Sequence, residues 1–568
     1  MAASLHLSPT AQVLWVCGVT TVVFGFALAA VPLAEGQPDP KRPAAQAPGF
    51  PGWPTDTKPD AVLVITGQTY GYLQPCGCSR PQLGGLERRA NLIASLKSVG
   101  WPVAGIDLGD LLPVESLIPK QGIMKYGTTL NALREMGYIA IGVGKAEITN
   151  GLFQIVEQYT SQQAPPPAML CGNVGSLIGG EFVPRAEAFP RPDGKPTVGL
   201  VEVSQVGTVP VGITAVIAPS VAKEVAALGR KTLVSFSDLA TELKAAVKEL
   251  AAHPKKPQLN VLLLQGTLAE AKQVPGEFPL FDVIVCLSPE PLPPEAPTLV
   301  AGAAGRKTLI VQVGWKGQRV GVLGVFNRPG GGFDLKYHVV ALGEEYNTPG
   351  AEDVARKANT TLGLLDKYAE QVKADNLLRQ LKPFQHPAQA TDAKLAFVGS
   401  EKCFTCHAVE AAKWKETAHS HAMEALETIA KRPAQRNYDP ECVVCHTVGF
   451  GYRTGYQNDV STPHLRHVGC ESCHGPGSGH VANPKDVKLL ALQSPWRKLR
   501  TDRLPSLATM DKLAKLSEAD RARYPLPEAE ARMVKAVSNH CQSCHDHEND
   551  PLFDLYKYWP KIHHAAKK

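Results

Sequence analysis

Apolar and polar positions change period several times along this chain. From Val13 to Val31 no charge interrupts VLWVCGVTTVVFGFALAAV, a run about long enough to span a bilayer. Residues 35–60 are Pro-rich and lack apolar periodicity, the pattern of an extended tether. From residue 61 short apolar runs alternate with amphipathic stretches. The runs predict buried strands at Ala61–Ile65, Val103–Ile106, Ile139–Val143, Val209–Val216, Asn260–Leu264, Val283–Cys286, Thr308–Val313 and Gly321–Phe326. The stretches Leu86–Val99 and Gly127–Met136 predict helices. This alternation predicts an α/β fold of layered sheets with helices outside. Leu362, Leu365, Tyr368, Val372 and Leu377 sit near helical spacing, so one long helix is expected over 347–382, followed by a linker over 383–396.

The 568 residues are enough for about three or four domains, and 44% apolar content supports globular cores. A net charge of +6 is mild for this length and gives no indication of nucleic acid as a partner. Of 13 cysteines, the five outside the last third are Cys17, Cys76, Cys78, Cys171 and Cys286.

The other eight recur in one pattern: Cys403-Phe-Thr-Cys406-His407, Cys442-Val-Val-Cys445-His446, Cys470-Glu-Ser-Cys473-His474 and Cys541-Gln-Ser-Cys544-His545. Cys-x-x-Cys-His is the attachment sequence of c-type haem, in which the two thiols bond the macrocycle and the histidine reaches the iron. Two structural zinc sites would use the same cysteine pairs, but leave unexplained why a histidine follows each pair. Of 17 histidines, 13 lie between His407 and His564. Nine of these stand outside the motifs and are candidates for a second, distal ligand: His419, His421, His464, His467, His480, His540, His547, His563 and His564. Four macrocycles in about 170 residues leave little room for an ordinary apolar core, so the haems themselves are expected to form it. The basic stretch Trp496-Arg-Lys-Leu-Arg500, with Arg503, is read either as a solvated helix face or as a docking site for an acidic redox protein.

Residues 61–330 resemble the calcineurin-like metallophosphoesterases of the 5′-nucleotidase branch. The resemblance rests on Thr66-Gly-Gln-Thr-Tyr-Gly-Tyr-Leu73, Gly84-Gly-Leu-Glu-Arg-Arg89, Asp107-Leu-Gly-Asp110 and Gly144-Lys-Ala-Glu147. In that family two metals clamp a phosphate and activate water. Here Gln68 and Tyr70 stand for the first Asp and His, Lys145 for the Asn and Ala146 for the catalytic His. Ser288 and Glu290 fall at later His positions, while Asp110 and Glu147 are retained. The resemblance therefore implies the scaffold without its dimetal centre. Cys76 and Cys78, with Cys171, are read as a structural bridge or buried thiols, or alternatively as a redox or metal pair.

From Phe397 onward the chain resembles the cytochrome c-554 type of multihaem cytochrome. The matching residues are Val398-Gly-Ser-Glu-Lys-Cys403, Trp414-Lys-Glu-Thr-Ala-His419, the run from His467 through Cys470 to His480, and the ending Tyr558-Trp-Pro-Lys-Ile-His-His564. The resemblance implies four covalent haems c, with His419 (or His421), His467, His480 and His564 as distal ligands.

The expected organisation is a signal peptide or membrane anchor (1–34), a Pro-rich linker (35–60), a degenerate metallophosphoesterase-like domain (61–345), a helical connector (346–396) and a mainly α tetrahaem cytochrome domain (397–568). The expected function is electron transfer between redox partner proteins by an exported protein, periplasmic or otherwise extracytoplasmic and held to the cytoplasmic membrane by its first helix. Two other readings are a working phosphoester hydrolase with an appended cytochrome and a redox enzyme acting at an open haem.

Overall fold

The computed structural model describes residues 49–76, 81–161, 167–191, 193–228, 233–302, 305–350, 352–428 and 432–564. Its first part holds two six-stranded sheets face to face. One runs Phe333–Ala341, Arg319–Asn327, Ala61–Thr66, Val103–Asp107, Tyr138–Gly142, Ala168–Leu170; the other runs Thr298–Ala301, Lys307–Val313, Val283–Leu287, Leu259–Gln265, Val209–Ile217, Val201–Val206. Ala61–Thr66 pairs parallel with Val103–Asp107 and antiparallel with Arg319–Asn327, with Leu63 opposite Leu323.

The period-two rule divides each central strand between two cores. Ala61, Leu63 and Ile65 meet Val261, Leu263, Val283 and Val285 between the sheets. Val62 and Val64 face the helix layer of Leu86–Ser98 and Pro119–Met136, and Leu262 and Leu264 face the helices outside the second sheet. The result is a four-layer α/β sandwich, as the alternation predicts.

Three local differences have physical causes. The helix expected from Gly127 begins at Pro119, with proline in its first turn, and ends on Gly137 in the left-handed region (φ 86°). The helix expected over 347–382 is broken at Asn359, which caps the second piece by accepting from Thr361 N at 3.0 Å and donates to Glu87 O, also at 3.0 Å. Phe50 and Trp53, read above as part of a tether, pack on the sheet, Trp53 stacking on Trp101 at 5.5 Å.

Beyond Phe397 the chain is mainly short helices. Two small apolar clusters serve it, one around Met423, Val443 and Leu465 and one around Met510, Met533 and Val537. This region joins the sheets along a polar seam. Lys125 pairs with Glu441, and Lys316 pairs with Glu548. Gln121 Nε2 donates to Asp439 at 2.8 Å, Arg432 to Glu87 at 2.9 Å, and Arg436 to the carbonyl of Cys76 at 2.9 Å.

The expectation of a membrane anchor is corrected here. Among the described residues no helix is long and apolar enough to cross a membrane. The longest, Pro119–Met136, carries Lys120, Lys125, Arg134 and Glu135, too many charges for a bilayer core. The apolar run Val13–Val31, with Cys17, lies outside the described residues, and attachment to a membrane through it is withdrawn, together with the anchored location.

Candidate functional site

Each cysteine motif lies on or beside a helical turn. Cys442–His446 closes the helix Pro440–His446, whose first turn is capped by Asp439 accepting from Glu441 N at 2.9 Å. Cys470–His474 is a helix in itself, and Cys541 ends Glu528–Cys541. A helical turn puts residues i and i+3 on one face, so both thiols of a motif reach one edge of a single group. Motifs distant in sequence also meet: the side chains of Cys403 and Cys470 are in hydrogen-bond contact, as are those of Cys445 and Cys544.

The motif histidines are oriented by their Nδ1 atoms. His446 faces Ala422 O at 2.6 Å, His474 faces Gln493 O at 2.7 Å, and His545 faces the Asp550 carboxylate at 2.8 Å. Each partner is an acceptor, so Nδ1 carries the proton and Nε2 presents its lone pair, the tautomer a metal takes. Burial lowers the pKa of His446 and His474, and lowers His419 to about 4, which holds these rings neutral.

The second histidines complete pairs. Ring centres lie 6.2 Å apart for His407 and His480, 6.0 Å for His419 and His545, and 6.2 Å for His474 and His564. Two imidazoles on opposite sides of one metal, each bonded at about 2.0 Å, put their ring centres roughly 6 Å apart. The residues therefore fit iron held between two histidines. The buried Nδ1 of His480 has no hydrogen-bond partner in the protein. His421 and His467 instead lie 6.4 Å from each other, and His467 has a left-handed backbone (φ 70°).

Two further residues belong to this region. Trp496, read from sequence as part of a basic surface, lies 5.2 Å from the His474 ring and 5.5 Å from that of His540. Asp550 is fixed by Tyr558 OH at 3.3 Å as well as by His545. A half-buried Trp and a buried Asp on the C-terminal side of Cys-x-x-Cys-His motifs were the available signals.

A second site lies beyond the carboxyl ends of the parallel strands, where ligands of open α/β sheets bind. It is a cavity of about 770 Å³ whose lining includes Gln68, Tyr70, Asp110, Lys145, Ala146, Ser288, Glu290 and Trp315. The resemblance thus picked out positions that the fold brings together. Side-chain hydrogen bonds join them: Gln68 Nε2 donates to Tyr70 OH at 2.9 Å, and Gln68 Oε1 accepts from Ser288 N at 2.9 Å. Asp110 accepts from Ala146 N at 2.7 Å. Glu147, behind the wall, accepts from the backbone of Gly144, Asp110, Leu111 and Leu112 at 2.7–3.1 Å. Gly144 is required by this closeness, since a Cβ there would stand 2.4 Å from Asp110. Burial pushes Asp110 up to about 6 and Glu147 to about 7, the latter helped by the charge of Asp110. Gln68, Tyr70 and Asp110 all have positive φ (48°, 48° and 60°), a conformation costing about 1 kcal/mol or more at each non-glycine residue.

Among the described residues no three His, Cys, Asp or Glu side chains are grouped to hold a metal ion. Cys76 lies at the seam rather than in the cavity, with Gln82 Nε2 donating to its sulfur at 3.0 Å. Cys171 is buried in the helix-side core, and burial pushes its thiol up to about 12. Cys78 lies outside the described residues.

Residues 402–475 match the family described as cytochrome c554 and c-prime. Cytochrome c-554 of Nitrosomonas europaea is 42% identical over 99 residues, 16% of this chain and 42% of that protein. The sheet region is similar to a 5′-nucleotidase precursor from Thermus thermophilus (22% identity, TM-score 0.43, 55% of this chain and 59% of that one). It is also similar to a calcineurin-like phosphoesterase from Bacillus subtilis (13% identity, TM-score 0.39, 55% and 97%). The chain spans less than two thirds of the cytochrome and of the nucleotidase precursor. A cytochrome c family implies covalently bound haem c. Residues 402–475 of this chain thus resemble cytochrome c-554, and they follow mixed α/β sheets that resemble metallophosphoesterase folds.

Proposed function

We propose that the protein is an exported tetrahaem cytochrome c that relays electrons, and that its sheet region is a phosphoesterase scaffold without a hydrolytic metal pair. The observation that carries the first half is the pairing of His407 with His480, His419 with His545, and His474 with His564 at 6.0–6.2 Å. Haem supplies a one-electron couple, and two strong-field imidazoles favour a coordination that changes little between oxidation states. The chain's own contribution is to hold His446, His474 and His545 as Nε2 donors through their Nδ1 partners, and to keep His446, His474 and His419 neutral by burial. His407, His446, His474 and His545 take the proximal role, and His480, His419 and His564 the distal role at three of the four haems. Contacts between Cys403 and Cys470, and between Cys445 and Cys544, support close approach of haems from different motifs.

Support for the second half is chemical. Gln68, Tyr70, Lys145, Ala146 and Ser288 are poor replacements for the carboxylate and imidazole ligands of a dimetal centre. The test is the mass of the purified protein with its haem and non-haem metal content. Four haems per chain and no second metal are expected. Two tightly bound non-haem metals, with phosphoester hydrolysis lost in Asp110→Ala, would establish the hydrolase instead.

A further inference from the structure

We propose that the cavity lined by Gln68, Tyr70, Asp110 and Trp315 is a binding site for a small organic cation, an amine or quaternary ammonium ion. The proposal rests on the reading above that this site holds no metal pair.

The anion-binding features around the cavity are already occupied by the chain itself. Backbone N–H groups at helix starts attract anions. Here the two longer helices that open onto the cavity, Pro219–Ala227 and Leu268–Glu277, share one carboxylate. Glu270 accepts from Ser220 N at 2.9 Å and from Thr267 N at 2.8 Å, and takes both hydroxyls as well. The short turn after Gly144 is taken by Glu147 and Asp110. An incoming phosphate would find these donors already taken by built-in carboxylates.

What remains facing the cavity has the opposite preference. Asp110, Glu224 and Glu290 line it. Among the described residues the one lysine on its wall, Lys145, is paired with Glu224. Tyr70 and Trp315 form an aromatic corner, their centroids 6.2 Å apart and their planes at 82°. That corner is fixed: Tyr70 OH accepts from Gln68, and Trp315 Nε1 donates to Ser288 O at 3.0 Å. Residues standing where metal ligands would be thus hold two aromatic faces beside a buried carboxylate, the arrangement that recognises ammonium ions. Gln68, Tyr70 and Asp110 all hold a left-handed backbone, a strain that clusters at ligand-binding sites. About 770 Å³ suits a small-molecule ligand.

The test is isothermal titration of the full-length, haem-loaded protein with benzyltrimethylammonium chloride, and separately with inorganic phosphate, after non-haem metal analysis. One ammonium ion is expected to bind per chain, with no heat from phosphate. Trp315→Leu and Glu290→Gln should each weaken binding about tenfold. Glu290 is exposed, so its variant tests charge without risk to the fold. No heat from the ammonium ion, tighter binding of phosphate, or affinity unchanged in both variants would overturn the proposal. Two non-haem metals per chain would overturn the underlying reading first; a metal-free protein that ignores ammonium would sink the cation assignment alone.

Discussion

Asp550 accepts a hydrogen bond from His545 Nδ1 at 2.8 Å, whereas His446 and His474 face backbone carbonyls. A carboxylate gives the imidazole more anionic character than a carbonyl does, and so favours the oxidised iron. Asp550→Asn should therefore raise the reduction potential of the haem at Cys541–His545 by roughly 60 mV, about a tenfold change in a one-electron equilibrium. Spectroelectrochemical titration of the two proteins checks this; an unchanged potential would remove Asp550 from the tuning of that haem.

Replacing one distal candidate should alter one haem. His480→Ala is expected to convert the haem at Cys403–His407 from low spin to high spin and leave the others unaltered, as seen by paramagnetic resonance and visible spectra. His421→Ala, which touches the separate pair with His467, should leave three low-spin haems as they are. A spin change of the first haem in His421→Ala but not in His480→Ala would reverse the assignment.

The buried Asp110 makes stability fall as pH rises. Its folded-state pKa is raised from 3.8 to about 6 by burial. Folding therefore takes up a proton between these values, and the ionised group is penalised above them. The neutral Asp110→Asn should be more stable than the parent at pH 8 by up to about 3 kcal/mol, with the difference vanishing near pH 4. Denaturant titration at both values measures it, and a pH-independent difference would show that Asp110 is not the group responsible.

The seam can be tested through Lys316 and Glu548. Both side chains are partly shielded, at 22% and 34% exposure. Lys316→Glu and Glu548→Lys alone should each cost about 1 kcal/mol, and the double exchange should recover most of that loss. Hydrogen exchange across residues 546–550 should accelerate in the single variants and return toward the parent in the double.

How much of this was legible beforehand follows from the range of each interaction. The central strands were readable because they are buried on both faces, which writes a continuous apolar run into the sequence. The first turns of Pro119–Met136 were not, because Gln121 and Lys125 are buried against the polar seam and break the apolar period. The interruption at Asn359 depends on a carbonyl at Glu87 that no local pattern reveals. Cys-x-x-Cys-His is a local pattern, so its four copies were plain. The pairing of His407 with His480, or of His419 with His545, is set by tertiary packing and had only a family resemblance to suggest candidates. Trp496 was taken for part of a charged surface because its neighbours are basic, yet its ring turns toward His474.

The carboxylate of Glu270, shared between Ser220 and Thr267, bears on any attempt to build phosphoester chemistry into the neighbouring cavity. Imidazoles placed at positions 70 and 146 would leave the backbone donors of Ser220 and Thr267, which line the cavity, still taken by a resident carboxylate. Hydrolysis, if it is to be built there in the laboratory, requires clearing that seat as well as filling the metal positions.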